Sequence, residues 1–115
     1  MCWRMQVRNL SLLVITARAI PMRPLTETEI EPLIQSLPRW RREDKMILRD
    51  FCAETVTEAA AMVPRLAAYA ETMNHHPEVL WVYNRLRIGF TTHDVDGLTA
   101  TDFRMAAYIE EWLHD

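Results

Sequence analysis

The stretch Arg85-Leu-Arg-Ile-Gly-Phe-Thr-Thr-His93, followed by Asp94-Val-Asp-Gly97 and Leu98-Thr-Ala-Thr-Asp-Phe103, carries a strand, a turn and a helix start in nineteen residues. Leu86, Ile88 and Phe90 alternate with Arg87, Gly89 and Thr91, so residues 85–92 read as a strand with one core face and one polar face, His93 standing at its end. Asp94 to Gly97 supplies the turn. Thr99 and Asp102 have the spacing of a capping box, in which a hydroxyl and a carboxylate satisfy the orphan amides of a helix start. Leu98 and Phe103 are placed as a hydrophobic staple across it, and the helix is expected from about Ala100 to Leu113.

Working back from this stretch, Val79–Tyr83 reads as the preceding strand, and Pro77 ends the helix before it. That helix opens on Thr55-Val-Thr-Glu58, a second capping box, and continues through the alanine-rich Ala59–Met73. Pro64 lies in its interior, where a lost backbone hydrogen bond costs ~3 kcal/mol, and predicts a kink. Residues 39–42 and 45–52 flank the polar pair Glu43-Asp44 and predict a hairpin. Thr26-Glu-Thr-Glu29 is a further capping box, and Ile30, Leu33, Ile34 and Leu37 mark one buried stripe of a helix ending at Pro38. The order helix, two strands, helix, two strands, helix describes a two-layer α+β domain whose four-stranded antiparallel sheet has helices packed on one face.

At 115 residues the chain has the length of one domain. Half its residues are apolar and a quarter charged, a globular composition. The longest apolar run, Leu12–Ile15, is far short of the ~20 residues that span a bilayer, so no membrane association is expected. Residues 1–21 contain Arg4, Arg8 and Arg18 and no acid, while residues 22–115 hold ten basic and sixteen acidic side chains. So acidic a body argues against direct binding of nucleic acid. Residues 1–21 superficially match a secretory signal, but the apolar stretch is short and Arg18 interrupts Ala17-Arg-Ala19. They are read as an extension outside the fold, with the domain at 22–115. Cys2 and Cys52, widely spaced, read as free thiols in a reducing, cytoplasmic setting.

The chemistry concentrates in three of the four histidines, His75, His76 and His93, accompanied by Glu71, Asn74, Tyr83, Asn84 and Asp102. Glu71 and His75 are four apart, which on a continuing helix puts carboxylate and imidazole on one face, with His76 turned about 100° away. His93 meets His75 if the second helix packs beside its strand. Imidazoles titrating near neutrality suit proton transfer to an oxygen leaving group and from a nitrogen. The plainer readings are a favourable charge at a helix C-terminus for His75-His76, a cap for Asp102, and core or hairpin packing for Trp40. A metal site lacks support, since neither an HExxH motif nor a cysteine pair is present.

Glu71-Thr-Met-Asn-His-His-Pro-Glu78, Val82-Tyr-Asn84, Thr91-Thr-His93 and Gly97-Leu-Thr-Ala-Thr-Asp102 together resemble the pterin-4a-carbinolamine dehydratases, also known as dimerisation cofactors of a homeodomain transcription factor. The resemblance runs from about Leu25 to Leu113 and includes Leu37-Pro-Arg-Trp40. It implies the same element order and removal of water from a 4a-hydroxytetrahydropterin, giving the quinonoid dihydropterin and so recycling the pterin of aromatic amino acid hydroxylases. No metal or bound cofactor is implied. By the same resemblance His75 and His93 exchange protons with the C4a hydroxyl and N5, His76 helps hold the pterin, Glu71 and Asp102 orient the site, and Trp40 lines its mouth. Thr101 departs from the arginine common before the aspartate, and Asp96 from the small residue common before the turn glycine.

A non-catalytic scaffold, coactivator or assembly factor of the same fold is the competing function, against which three imidazoles in one cleft argue. Phe103 and Ala106 on one line of the last helix, and Met105, Tyr108 and Trp112 on another, predict that one line faces a second subunit in a homo-oligomer.

Overall fold

The computed structural model describes residues 22–115, so the expectations for residues 1–21, Cys2 included, lie outside the described residues. Helix α1 (Glu27–Gln35) begins at Thr26, whose hydroxyl accepts from the Glu29 amide at 3.3 Å while Glu29 Oε1 accepts from the Thr26 amide at 2.9 Å. Strands β1 (Trp40–Glu43) and β2 (Met46–Cys52) form the first hairpin, which turns through Asp44 at φ 55°. Helix α2 (Val56–Met73) follows. Only half of its capping box forms: the Thr55 hydroxyl accepts from the Glu58 amide at 3.1 Å, but Glu58 Oε1 accepts from the Glu54 amide, at 3.4 Å, instead of from Thr55. Pro64 lies on the exposed side, and the helix runs through it as one element.

Strands β3 (Glu78–Val82) and β4 (Arg85–Phe90) complete an antiparallel sheet in the order β1-β2-β4-β3. β4 stops two residues before the expected Thr92 because its ladder with β2 ends at the pair Ile47 and Phe90. Thr92 instead bridges to Gly97, closing a loop that contains the single 3₁₀ turn His93–Val95. Helix α3 (Ala100–Glu110) ends short of Leu113. Its last turn tightens, with Trp112 and Leu113 amides bonding Ile109 and Glu110 carbonyls three residues back at 2.9 and 3.2 Å.

The alternation in β2 and β4 decides where the core lies. Across the two strands Ile47 pairs with Phe90, Arg49 with Ile88 and Phe51 with Leu86, all buried. Buried apolar side chains of this size each contribute about 1.5–3 kcal/mol. On the other face Asp50 binds both Arg41 and Arg87, a solvated ladder of charge. The largest exposed apolar side chains include Leu80, Trp81, Val82 and Tyr83, which gather on the edge strand β3 and its turn.

α3 corrects the expectation of an outward-facing stripe. Met105 and Ala106, one from each apolar line, are both 0% exposed within a single chain. Glu110 reaches the sheet through Trp40 and Arg49, while Tyr108 and Trp112 pack on Tyr69 of α2 with ring centroids 4.6 and 5.6 Å away. Sheet and α2 thus cover both lines, and the width of this helix calls for no second subunit.

Arg49 lies on the core face of β2 with its side chain 2% exposed. All five of its N–H groups are used: two on Glu110, two on Asp115 and one on the Asp50 carbonyl, at 2.8–3.0 Å. Burial pulls its pKa down, but the bonds to Asp115 and Glu110 outweigh that and leave it raised. The same bond from Arg49 holds the Asp115 carboxyl below the usual carboxylate range. A depressed folded pKa means that this stabilisation is present above the unfolded value, roughly pH 4, and is lost as pH falls through the folded one. Asp115→Asn is therefore expected to lower stability at pH 7 and to flatten its decline below about pH 4. Chemical denaturation at several pH values checks this, and superimposable acid curves for the two proteins would contradict it.

Candidate active site

His75 and Asp102 meet across twenty-seven residues of sequence, Nε2 lying 2.6 Å from Oδ1. Both are buried, His75 at 9% exposure and Asp102 at 0%. The backbone of Asn74 explains how His75 gets there. Asn74 closes α2 in the left-handed region at φ 51°, a conformation that asparagine tolerates better than most residues. The helical path therefore ends at Met73, and the His75 amide returns to the Ala70 carbonyl at 3.1 Å. Its ring then enters the core beside Phe90, with centroids 6.1 Å apart.

This turn overturns the expected pairing of Glu71 with His75. Four-residue spacing puts two side chains on one face only while the helix continues, and here it does not. Glu71 Oε1 lies instead 2.6 Å from His76 Nε2, both side chains being exposed. The two neighbouring histidines thus engage different carboxylates on opposite sides of the chain, one in solvent and one in the core.

Asp102 projects from the first turn of α3. Its Oδ2 accepts from the Thr99 amide at 2.9 Å, the carboxylate arm of the expected cap, and from the Thr92 hydroxyl at 2.8 Å. The capping and orienting readings of Asp102 are therefore compatible, because the two oxygens divide the work. Thr92 directly precedes His93, which is exposed at the start of the 3₁₀ turn. The loop carrying His93 is held by paired bonds between Thr92 and Gly97, of 3.0 and 3.4 Å. Asp96 turns left-handed in that loop at φ 52°, a conformation that favours glycine or a short polar side chain, and pairs with Lys45 at 2.8 Å. That bond holds the Asp96 carboxyl below its ordinary range. Thr101 is buried at 6% exposure.

Trp40 is placed in the core, 5% exposed, its indole N–H donating to Glu110 Oε1 at 2.7 Å. Phe90 lies between it and the imidazole: the Trp40 and Phe90 centroids are 6.1 Å apart, and Phe90 in turn packs on His75. Sequence reading missed Thr92 and Thr99 as neighbours of the site. A signal was present for Thr92, which continues the core phase of Leu86, Ile88 and Phe90 although it is polar. The thiol of Cys52, exposed, lies on the opposite face of the sheet in a cavity of about 290 Å³ shared with Leu80, Val82, Arg85 and Arg87.

The family model described as pterin 4 alpha carbinolamine dehydratase matches residues 23–112. The chain belongs to this family. Among the similar members named for pterin-4-alpha-carbinolamine dehydratase, one from Novosphingobium aromaticivorans is 43% identical over 91 residues, 77% of this chain and 95% of the relative. Another, from Chloroflexus aurantiacus, is 41% identical over 87 residues, covering 76% of this chain and 94% of the relative. Among solved structures, a transcriptional coactivator/pterin dehydratase from Brucella melitensis superposes with TM-score 0.73 at 31% identity, covering 76% of this chain and 96% of its own. The α+β architecture is thus that of the pterin carbinolamine dehydratase family.

Proposed function

We propose that the chain dehydrates a 4a-hydroxytetrahydropterin to the quinonoid dihydropterin by histidine acid/base catalysis. The observation that carries the reading is the buried His75–Asp102 pair, joined through Thr92 to the loop that bears His93. In the reaction one imidazole protonates the C4a hydroxyl, which leaves as water as the C4a–O bond breaks. The other accepts the proton of N5 as the C4a–N5 double bond forms, so the protons balance within the site. A carboxylate behind His75 fixes its ring, and exposed His93 is free to reach a bound pterin. His76, tied to Glu71 at the surface, contributes to holding the substrate. The product is the form that a reductase returns to the hydroxylase cofactor pool, which places the enzyme in recycling of the pterin used by aromatic amino acid hydroxylases.

A coactivator or assembly role is the weaker reading, because such a role makes no use of His93, an exposed imidazole carried on the loop that Thr92 ties to the His75–Asp102 pair. The deciding experiment supplies carbinolamine generated enzymatically and follows its dehydration spectrophotometrically with and without the purified chain. Acceleration proportional to protein concentration is expected, and a rate equal to the spontaneous one would refute the reading.

The reaction proposed needs no metal or bound cofactor. His75 and His76, adjacent in sequence, direct Nε2 to separate carboxylates and do not converge on a common point. Activity is expected to survive dialysis against a strong chelator. Loss of turnover that zinc restores would overturn this part of the proposal.

A further inference from the structure

Asp102 is fully buried, and each polar atom around it can be assigned a donor or acceptor role. The Thr99 amide can only donate, and it does so to Oδ2. The Thr92 hydroxyl donates to that same oxygen, which leaves the Thr92 oxygen to accept from the Thr99 hydroxyl 2.8 Å away. The remaining contact joins His75 Nε2 to Oδ1, and toward a carboxylate, which only accepts, the imidazole is the donor. The two buried threonine hydroxyls therefore form a directed chain, Thr99 donating to Thr92 and Thr92 to Asp102 Oδ2, while His75 donates to the other carboxylate oxygen. Thr92 is 4% exposed and Thr99 is 0% exposed.

Valine would fill the position of Thr92, in the core phase of β4, with nearly the same shape and without a polar atom to satisfy. The hydroxyl is spent on Asp102 and Thr99, both belonging to the α3 cap that supports His75. The backbone of Thr92 meanwhile closes the His93 loop through Gly97. One residue thus ties the backbone of the His93 loop to the carboxylate that His75 meets.

We infer that Thr92 and Thr99 are positioning residues for the acid/base step. Their hydroxyl chain fixes the Asp102 carboxylate so that neutral His75 carries its proton on Nε2 and keeps Nδ1 as the nitrogen available for proton transfer. The catalytic half of this inference rests on the dehydratase reading; the tautomer half does not.

The test labels the histidine rings with ¹⁵N and reads the His75 tautomer by NMR in the unmodified protein, in Thr92→Val and in Thr92→Ser. The Nε2–H form is expected in the unmodified protein. In Thr92→Val a mixture of tautomers is expected, with kcat falling about ten- to a hundredfold, the effect of one hydrogen bond to a charged group, and KM changing much less. Thr92→Ser, which keeps the hydroxyl, should restore both readouts. Neutral His75 protonated on Nδ1 in the unmodified protein overturns the inference, and that measurement needs no variant to fold. A folded Thr92→Val protein with the native tautomer, or with native kcat, overturns it as well. If the unmodified chain holds the Nε2–H tautomer and Thr92→Val loses it, yet neither protein accelerates dehydration, the hydroxyl chain stands and the dehydratase reading falls.

Discussion

Replacing His75 and His93 together by alanine is expected to slow carbinolamine dehydration by about 10²- to 10⁴-fold, the range of general acid/base contributions. The residues sit differently, and the single variants should show it. His93 is exposed in a loop closed by backbone bonds, so its removal should leave stability nearly unchanged. His75 is buried against Asp102, so His75→Ala leaves a carboxylate oxygen without its donor and should also destabilise the fold by about 1–3 kcal/mol. Turnover must therefore be compared below the melting transition of the double variant, with circular dichroism confirming that it is folded. Because the two groups act on one proton inventory, their effects should not add: either single change removes most of the acceleration. Turnover in a folded double variant equal to that of the unmodified protein would end the catalytic assignment.

The largest stability effect is expected at Glu110. Glu110→Ala removes the acceptor of both the Trp40 indole, at 2.7 Å, and the Arg49 guanidinium, at 3.0 Å on each oxygen. Arg49 stays charged and buried, and breaking a buried pair by removing one partner typically costs about 3–5 kcal/mol. Asp115 still binds the guanidinium, and Glu110 is itself 27% exposed, both of which draw the expected loss toward about 3 kcal/mol. For a domain of this size that corresponds to a fall in Tm of roughly 10 °C or more. Changing Arg49 and Glu110 together to Met and Leu should recover part of the loss, because the buried guanidinium is then gone and Asp115 keeps Arg39, while the Trp40 indole still lacks its acceptor. Calorimetry of the single and double variants tests the account. A single variant that melts within a degree or two of the unmodified protein would show that the cluster carries little of the fold's stability.

Much of this protein was legible in short windows of sequence. Thr26 with Glu29, and Thr99 with Asp102, mark helix starts because a side chain and an amide three residues away meet wherever the chain turns into a helix. Leu86, Ile88 and Phe90 mark the core face of β4 because successive strand residues must alternate. The family, too, could be named from the spacing of the histidines and their neighbours.

The pairings were settled elsewhere. Whether Glu71 serves His75 or His76 depends on one left-handed residue, Asn74, since a single change of backbone sign redirects every side chain after it. That Asp102 partners His75 as well as capping α3 depends on a contact between residues twenty-seven apart, which the cap spacing does not encode. Arg49 occupies a core position because Glu110 and Asp115 arrive there from more than sixty residues away, and neither periodicity nor propensity carries that information. The width of the apolar surface on α3 is likewise neutral in sequence, and only the packing of the sheet and Tyr69 on its two sides shows that one chain covers it. Local chemistry determined the elements and their order, because caps and alternation act within four residues. The tertiary structure decided which buried polar group faces which, because a buried charge or hydroxyl takes its partner from whatever the packing brings within hydrogen-bond reach.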